Sequence, residues 1–196
     1  MADTTRISRL QANWVYGGAL AGLLLLALLP LFGAGWTRAW TLTFLILPAY
    51  MLHQYEEHDD DRFRQFINAA IGRGREVLTV SDVFVINIIG VWTVLAATFW
   101  LVHLAGPVNG PGWGLIAVWL ILVNALAHIG QAIAMRCSNP GLWTAILVFL
   151  PLGLLSLKSL APLAATSQQV ISLALAIGIH ALIIARVSTA LRRGTA

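Results

Sequence analysis

Six runs of about twenty predominantly apolar residues, separated by short polar turns, set what this chain can fold into. Inside a bilayer every backbone N–H and C=O must be paired within the chain, which leaves helices and closed barrels. A barrel would alternate apolar and polar residues, and these runs are continuous, so the expectation is an all-α polytopic bundle forming one domain over residues 1–196. Composition agrees: 59% of residues are hydrophobic, 10% are charged and the mean hydropathy is +0.81. Soluble domains carry about 25% charged residues.

The expected transmembrane helices are Asn13 to Gly33, Arg38 to His58, Asp82 to Leu104, Gly112 to Met135, Leu142 to Leu160 and Gln168 to Ser188. The first exceeds the ~7–15-residue core of a signal peptide and is read as a retained helix. Gly106-Pro107 through Pro111-Gly112 breaks the third from the fourth, and Asn139-Pro140-Gly141 the fourth from the fifth, with Asn139 expected to cap a helix starting at Pro140. Pro30, Pro48 and Pro151 fall inside apolar runs, where kinks are expected. The one long connection, Asp59 to Ser81, places Phe63, Phe66, Ile67 and Ile71 at spacings that suit a short interfacial amphipathic helix.

A net charge of +4 and a pI near 10 would suggest nucleic acid in a soluble protein. Here the arginines flank apolar runs and act as topology signals instead, so no nucleic-acid partner is expected. With both termini cytoplasmic, ten basic residues fall inside: Arg6, Arg9, Arg62, Arg64, Arg73, Arg75, Arg136, Arg186, Arg192 and Arg193. Arg38 and Lys158 fall outside. That asymmetry predicts a multi-pass protein of the cell membrane with cytoplasmic N and C termini. Cys137 is the only cysteine, so one chain has neither a disulfide nor a thiolate cluster for zinc. Trp14, Trp36, Trp40, Trp113 and Trp143 stand near helix ends and are expected as interface anchors.

Against this apolar background His53-Gln54-Tyr55-Glu56-Glu57-His58 stands out, because ionisable groups are costly in a membrane and mark function. Glu56 and Glu57 follow His53 at i+3 and i+4 and share its helix face, while His58 points elsewhere. Counted from the outer ends of their helices, His53 is 15 residues in, His128 is 16 and His180 is 12. At ~1.5 Å per residue these depths are about 22, 24 and 18 Å, one layer in the inner leaflet. Asn124 and Gln131 flank His128 at i−4 and i+3, Asn87 falls near the same side, and Arg186 lies at nearly the depth of Glu57.

Imidazole and carboxylate suit zinc, iron and manganese, and bundles build such sites from inward-facing His and Glu. The candidate ligands of a divalent metal are His53, Glu56, Glu57, His128 and His180; Glu56 and Glu57 are also candidate catalytic groups, with Asn87, Asn124, Gln131 and Arg186 around them. Three plainer readings stand beside this one. The glutamates end their helix at the headgroups, His180 bonds a carbonyl, and Arg186 either pairs with Glu57 or snorkels to the surface.

His53-x-x-Glu56-Glu57 resembles the signature of the HXXEE-domain membrane proteins. Asn124 through His128-Ile129-Gly130-Gln131, then Asn139-Pro140-Gly141 and Thr144, is similar to that family's second block, so the resemblance runs from about His53 to Gly153. It implies a multi-span membrane fold and no particular reaction. A looser likeness is to CAAX-type intramembrane proteases, from which the chain departs in the placement of Arg62 and Asn124. Three function classes follow. One is a metal-dependent intramembrane enzyme, hydrolase or oxygenase, acting on a lipid-soluble substrate with His53, Glu57, His128 and His180 as ligands and Glu56 as base or further ligand. The second is a proton- or cation-coupled transporter using the same groups as a relay, and the third a binding or scaffold protein whose polar cluster locks helix packing.

Overall fold

A computed structural model describes residues 6–193. Among the described residues the architecture is all-helical, with six long helices and one short one. They are α1 (Arg6–Phe32), α2 (Arg38–His58), α3 (Arg62–Ala70), α4 (Val80–Leu104), α5 (Gly106–Met135), α6 (Leu142–Leu163) and α7 (Thr166–Arg193). All the long helices except α2 are long and apolar enough to cross a membrane. The 21 residues of α2 are sufficient in length, but its last turns carry the His53–His58 polar sequence. Five helices thus meet the expectation of six outright, and the other carries the candidate site.

Packing follows the intramembrane rule that small residues admit close approach. In α1 a Cβ on Gly22 would lie 3.1 Å from Met51 Cβ of α2, so this pair of helices touches almost backbone to backbone. The central core is built on α5, whose Leu115, Leu120, Ile121 and Ala125 cluster with Ile46 of α2, Leu95 of α4 and Phe149 of α6. Outward, Leu20, Leu31, Trp100, Leu147 and Leu182 are exposed, a surface suited to acyl chains rather than water.

Local chemistry explains the departures from a plain bundle. The chain turns between α2 and α3 through Asp60 and Asp61, both left-handed at φ 53° and 60°. Asp and Asn tolerate that region because their short polar side chains bond locally. Arg62 reaches Asp59 at 3.3 Å, and Arg64 joins Asp61 to Glu76, which ties α3 to the following loop. The Arg64 guanidinium is held further toward its charged form, first by its hydrogen bond to Asp61. As expected, α3 is amphipathic: Ile67 is buried, and Phe63 and Phe66 pack on a second cluster with Val77, Leu78 and Val83.

The expected Gly106–Gly112 loop is instead helical after one break: Gly106 sits at φ +76° and Pro107 starts the new helix. Trp14 is not an interface anchor. It is buried at 8% exposure, with its ring 5.4 Å from His58 and 6.4 Å from Trp92. Wider π-type turns interrupt α4 at Val85–Trp92 and α6 at Ala145–Phe149, beside the polar centre in both cases. Such turns recur at functional sites because they re-aim one side chain out of register.

Candidate metal centre

Glu57 is the hub. Its carboxylate is buried at 6% exposure, with Oε2 3.6 Å from His53 Nε2 and 3.1 Å from His58 Nε2, and Oε1 3.4 Å from His128 Nε2. The i, i+4 spacing on α2 supplies the first contact, and α5 brings His128 across so that the two imidazole centroids stand 5.0 Å apart. His53, Glu57 and His128 each present a ligand atom within 4.8 Å of the others, all three buried, and could hold a metal ion.

Hydrogen-bond partners fix the tautomers. Thr144 Oγ1 donates to Glu56 Oε2 at 2.5 Å, so its lone pair receives His53 Nδ1–H at 2.7 Å. The proton of a neutral His53 is therefore on Nδ1, leaving Nε2 bare, buried and without a partner. Asn139 works in the same way on His128. Its Nδ2 donates to the His128 carbonyl at 2.8 Å, which turns Oδ1 toward His128 Nδ1, again at 2.8 Å. His128 Nε2 faces Glu57 Oε1 at 3.4 Å. Two imidazole nitrogens thus face one buried carboxylate, and the one on His53 has no partner, an arrangement that costs energy unless a cation or a proton fills it. Spacings of 3.4 and 3.6 Å are long for hydrogen bonds but close to the ~3.3 Å between two ligands of a tetrahedral ion bound at about 2.0–2.1 Å.

The surrounding shell is equally specified. Indole N–H only donates, so Trp92 Nε1 at 2.8 Å fixes Gln54 Oε1 as an acceptor. Gln54 Nε2 then donates to Asn87 Oδ1 at 2.9 Å, and Asn87 Nδ2 donates to the Val83 carbonyl and faces His58 Nε2 at 3.2 Å. Phe149 lies against His53, centroids 4.3 Å apart, and seals its inner side. Gly141 closes the site from the α5–α6 connection. A Cβ there would sit 2.8 Å from His128 Cε1 and 2.9 Å from His53 Cε1, and its φ of +92° already favours glycine.

The remaining sequence candidates are distributed around this centre. Glu56 is not among the three converging ligands: Oε1 accepts from Trp143 N at 3.1 Å and Oε2 from Thr144 N at 2.7 Å. It caps the start of α6, the place assigned from sequence to Asn139, whose side chain is instead committed to His128. His180 stands apart as well, its Nδ1 2.8 Å from the Ala176 carbonyl one turn back on α7. Asn124 reaches Tyr50 OH at 3.4 Å, and Gln131 lines the cavity beside His128. Arg186 pairs with Asp82 at 2.9 Å rather than with Glu57.

His58 was expected to point away and does not. It is the last residue of α2, at φ −115° and ψ −1°, and its Nε2 lies 3.1 Å from Glu57 Oε2. Thr144 carried a sequence signal only as a member of the second block, and Asn139 and Gly141 as members of that block and of a turn; nothing in the spacing of Thr144 to His53 announced contact 91 residues away.

No curated protein and no solved structure matches the chain. A family model described as "Protein of unknown function with HXXEE motif" matches residues 44–156, a stretch that contains all three converging ligands together with Thr144, Asn139 and Gly141. With more than half its length matched, the chain belongs to the HXXEE family.

Proposed function

We propose that this protein is a metal-dependent intramembrane enzyme acting on a lipid-soluble substrate, with His53, Glu57 and His128 as the ligands of one divalent zinc, iron or manganese ion. The observation that carries the reading is the partnerless, buried Nε2 of His53, which faces the buried carboxylate of Glu57 with His128 Nε2 on the other oxygen, each ring anchored through Nδ1 by Thr144 or Asn139. Ligating histidines typically have the second nitrogen anchored in this way. Nitrogen and oxygen donors without sulfur suit all three metals.

Such an ion would supply a Lewis acid and lower the pKa of a bound water. The chain's own residues do the rest. Phe149 and Gly141 keep bulk water off the inner face, Glu56 and Thr144 hold the His53 ring in place, and His58 stands 3.1 Å from Glu57 as a proton acceptor or donor. His180, at the cavity wall, is available to substrate rather than to the ion. In this reading α2 crosses the cell membrane with the other five long helices, both termini are cytoplasmic, and the centre lies in the inner leaflet.

Elemental analysis of protein purified in mild detergent tests the proposal. Near-stoichiometric zinc, iron or manganese in the wild type, lost in both His53→Ala and His128→Ala, is the expected result. Metal-free protein after metal-replete expression would overturn it and favour a proton relay through His58 and Glu57, detectable as proton flux in liposomes.

A further inference from the structure

A cavity of about 390 Å³ opens beside the metal centre between α4, α5, α7 and the interfacial helix α3. Glu57, His58 and His128 line it, whereas His53 does not, so the centre presents a single side to this space. From α7 the wall takes Ile179, Ile183, Val187 and Leu191, one residue per turn on one face. That stripe makes the cavity about 18 Å long at ~1.5 Å per residue.

The apolar wall continues past the polar centre in both directions. On the α1–α2 turn side it includes Tyr50, seven residues before Glu57, and Leu120, eight before His128, which lie about 10 and 12 Å away along their helices. On the other side it runs to Ile67, Ile71 and Leu78. Asn87, Asn124, Gln131, His180 and Ser188 also line the space, and the rest of its wall is apolar. No basic residue lines the cavity, but Arg75 stands just outside it at the Leu191 end, its Nη1 3.4 Å from the carbonyl of Leu191 and its Nε 3.3 Å from that of Gly72.

We infer that the cavity binds the acyl chain of a fatty acid or other anionic single-chain lipid, carboxylate toward Arg75, and threads an internal segment of that chain past Glu57 and His128. This rests on the reading of that centre as the reaction site and names the substrate class it takes. A polar headgroup reacting at the centre would need the apolar wall on one side only. The wall on both sides selects a position within the chain, with α7 as the flank through which a lipid enters from the bilayer.

The test uses the full chain in nanodiscs with three photoreactive fatty acids, the diazirine placed near the carboxylate, at mid-chain or at the methyl end, and adducts located by mass spectrometry. The proposal expects ordered labelling: the first probe on peptides holding Ile71 and Leu191, the second near Gln131 and Ile183, the third near Tyr50 and Leu120. Ile183→Trp fills the cavity and should lower mid-chain labelling about tenfold or more. Leu182→Trp faces outward at 72% exposure and should leave labelling within about twofold. Labelling that ignores diazirine position, or that both tryptophans affect alike, identifies surface lipid and overturns the proposal. Elemental analysis of the same wild-type protein separates the two readings: ordered labelling with no bound metal sinks the reaction centre and leaves the lipid site standing.

Discussion

At the scale of single residues, the two glutamates of the motif have different tasks although they are neighbours. Glu57 faces the imidazoles, and Glu56, one helical step round, accepts the first N–H groups of α6 and the Thr144 hydroxyl. Glu57→Gln should therefore abolish metal binding. Glu56→Ala should cost about 1–2 kcal/mol through the lost cap and weaken metal less, as thermal unfolding and chelator competition on one preparation would show. Thr144→Val removes the acceptor of His53 Nδ1 and should lower metal affinity about 10–100-fold, with Thr144→Ser restoring it. Equal affinity in the Val variant would mean that the ring needs no anchor. The sequence made His53, Glu57 and His128 legible because helical spacing and depth are arithmetic. It hid the part played by Thr144, since no periodicity links residues 53 and 144.

At the scale of elements, the α5–α6 connection is the closing wall of the site. Gly141→Ala places a methyl within 3 Å of both histidine rings at a backbone conformation that costs roughly 1–2 kcal/mol for an L residue. Metal occupancy should fall by more than stability does; a variant that loses stability alone would assign Gly141 to the turn and not to the centre. Arg186–Asp82 is a different case. The pair links α7 to the start of α4 but its arginine is 46% exposed, so Arg186→Gln should change stability by less than about 1 kcal/mol in denaturant titration. Most helix ends were readable to within three residues because each apolar run had to match the bilayer, but α1 and α5 begin and α7 finishes beyond the expected bounds, at Arg6, Gly106 and Arg193 instead of Asn13, Gly112 and Ser188. The π-type turns were not, since no apolar period marks them; Asn87 lies within the first and Thr144 immediately before the second.

At the scale of the whole molecule, orientation has a native reporter. Cys137, the single cysteine, is exposed in the connection after α5, on the side of the bundle that carries the HXXEE end of α2. A membrane-impermeant maleimide should label it in inside-out vesicles and not in intact cells. Labelling of intact cells would invert the topology that the arginine asymmetry predicts. Because histidine and carboxylate must be deprotonated to bind, metal affinity should also fall steadily as the pH is lowered, measurable by competition with a chelator of known pH response.

The cap that Glu56 places on α6 has a consequence for biogenesis. The ring of His53 stays unanchored while the ribosome is still making the stretch that holds Thr144, and His128 stays unanchored until Asn139 emerges. A nascent chain halted after α4 therefore offers a metal no pre-arranged cradle, and loading of the proposed ion would wait until the hairpin of α5 and α6 has been inserted.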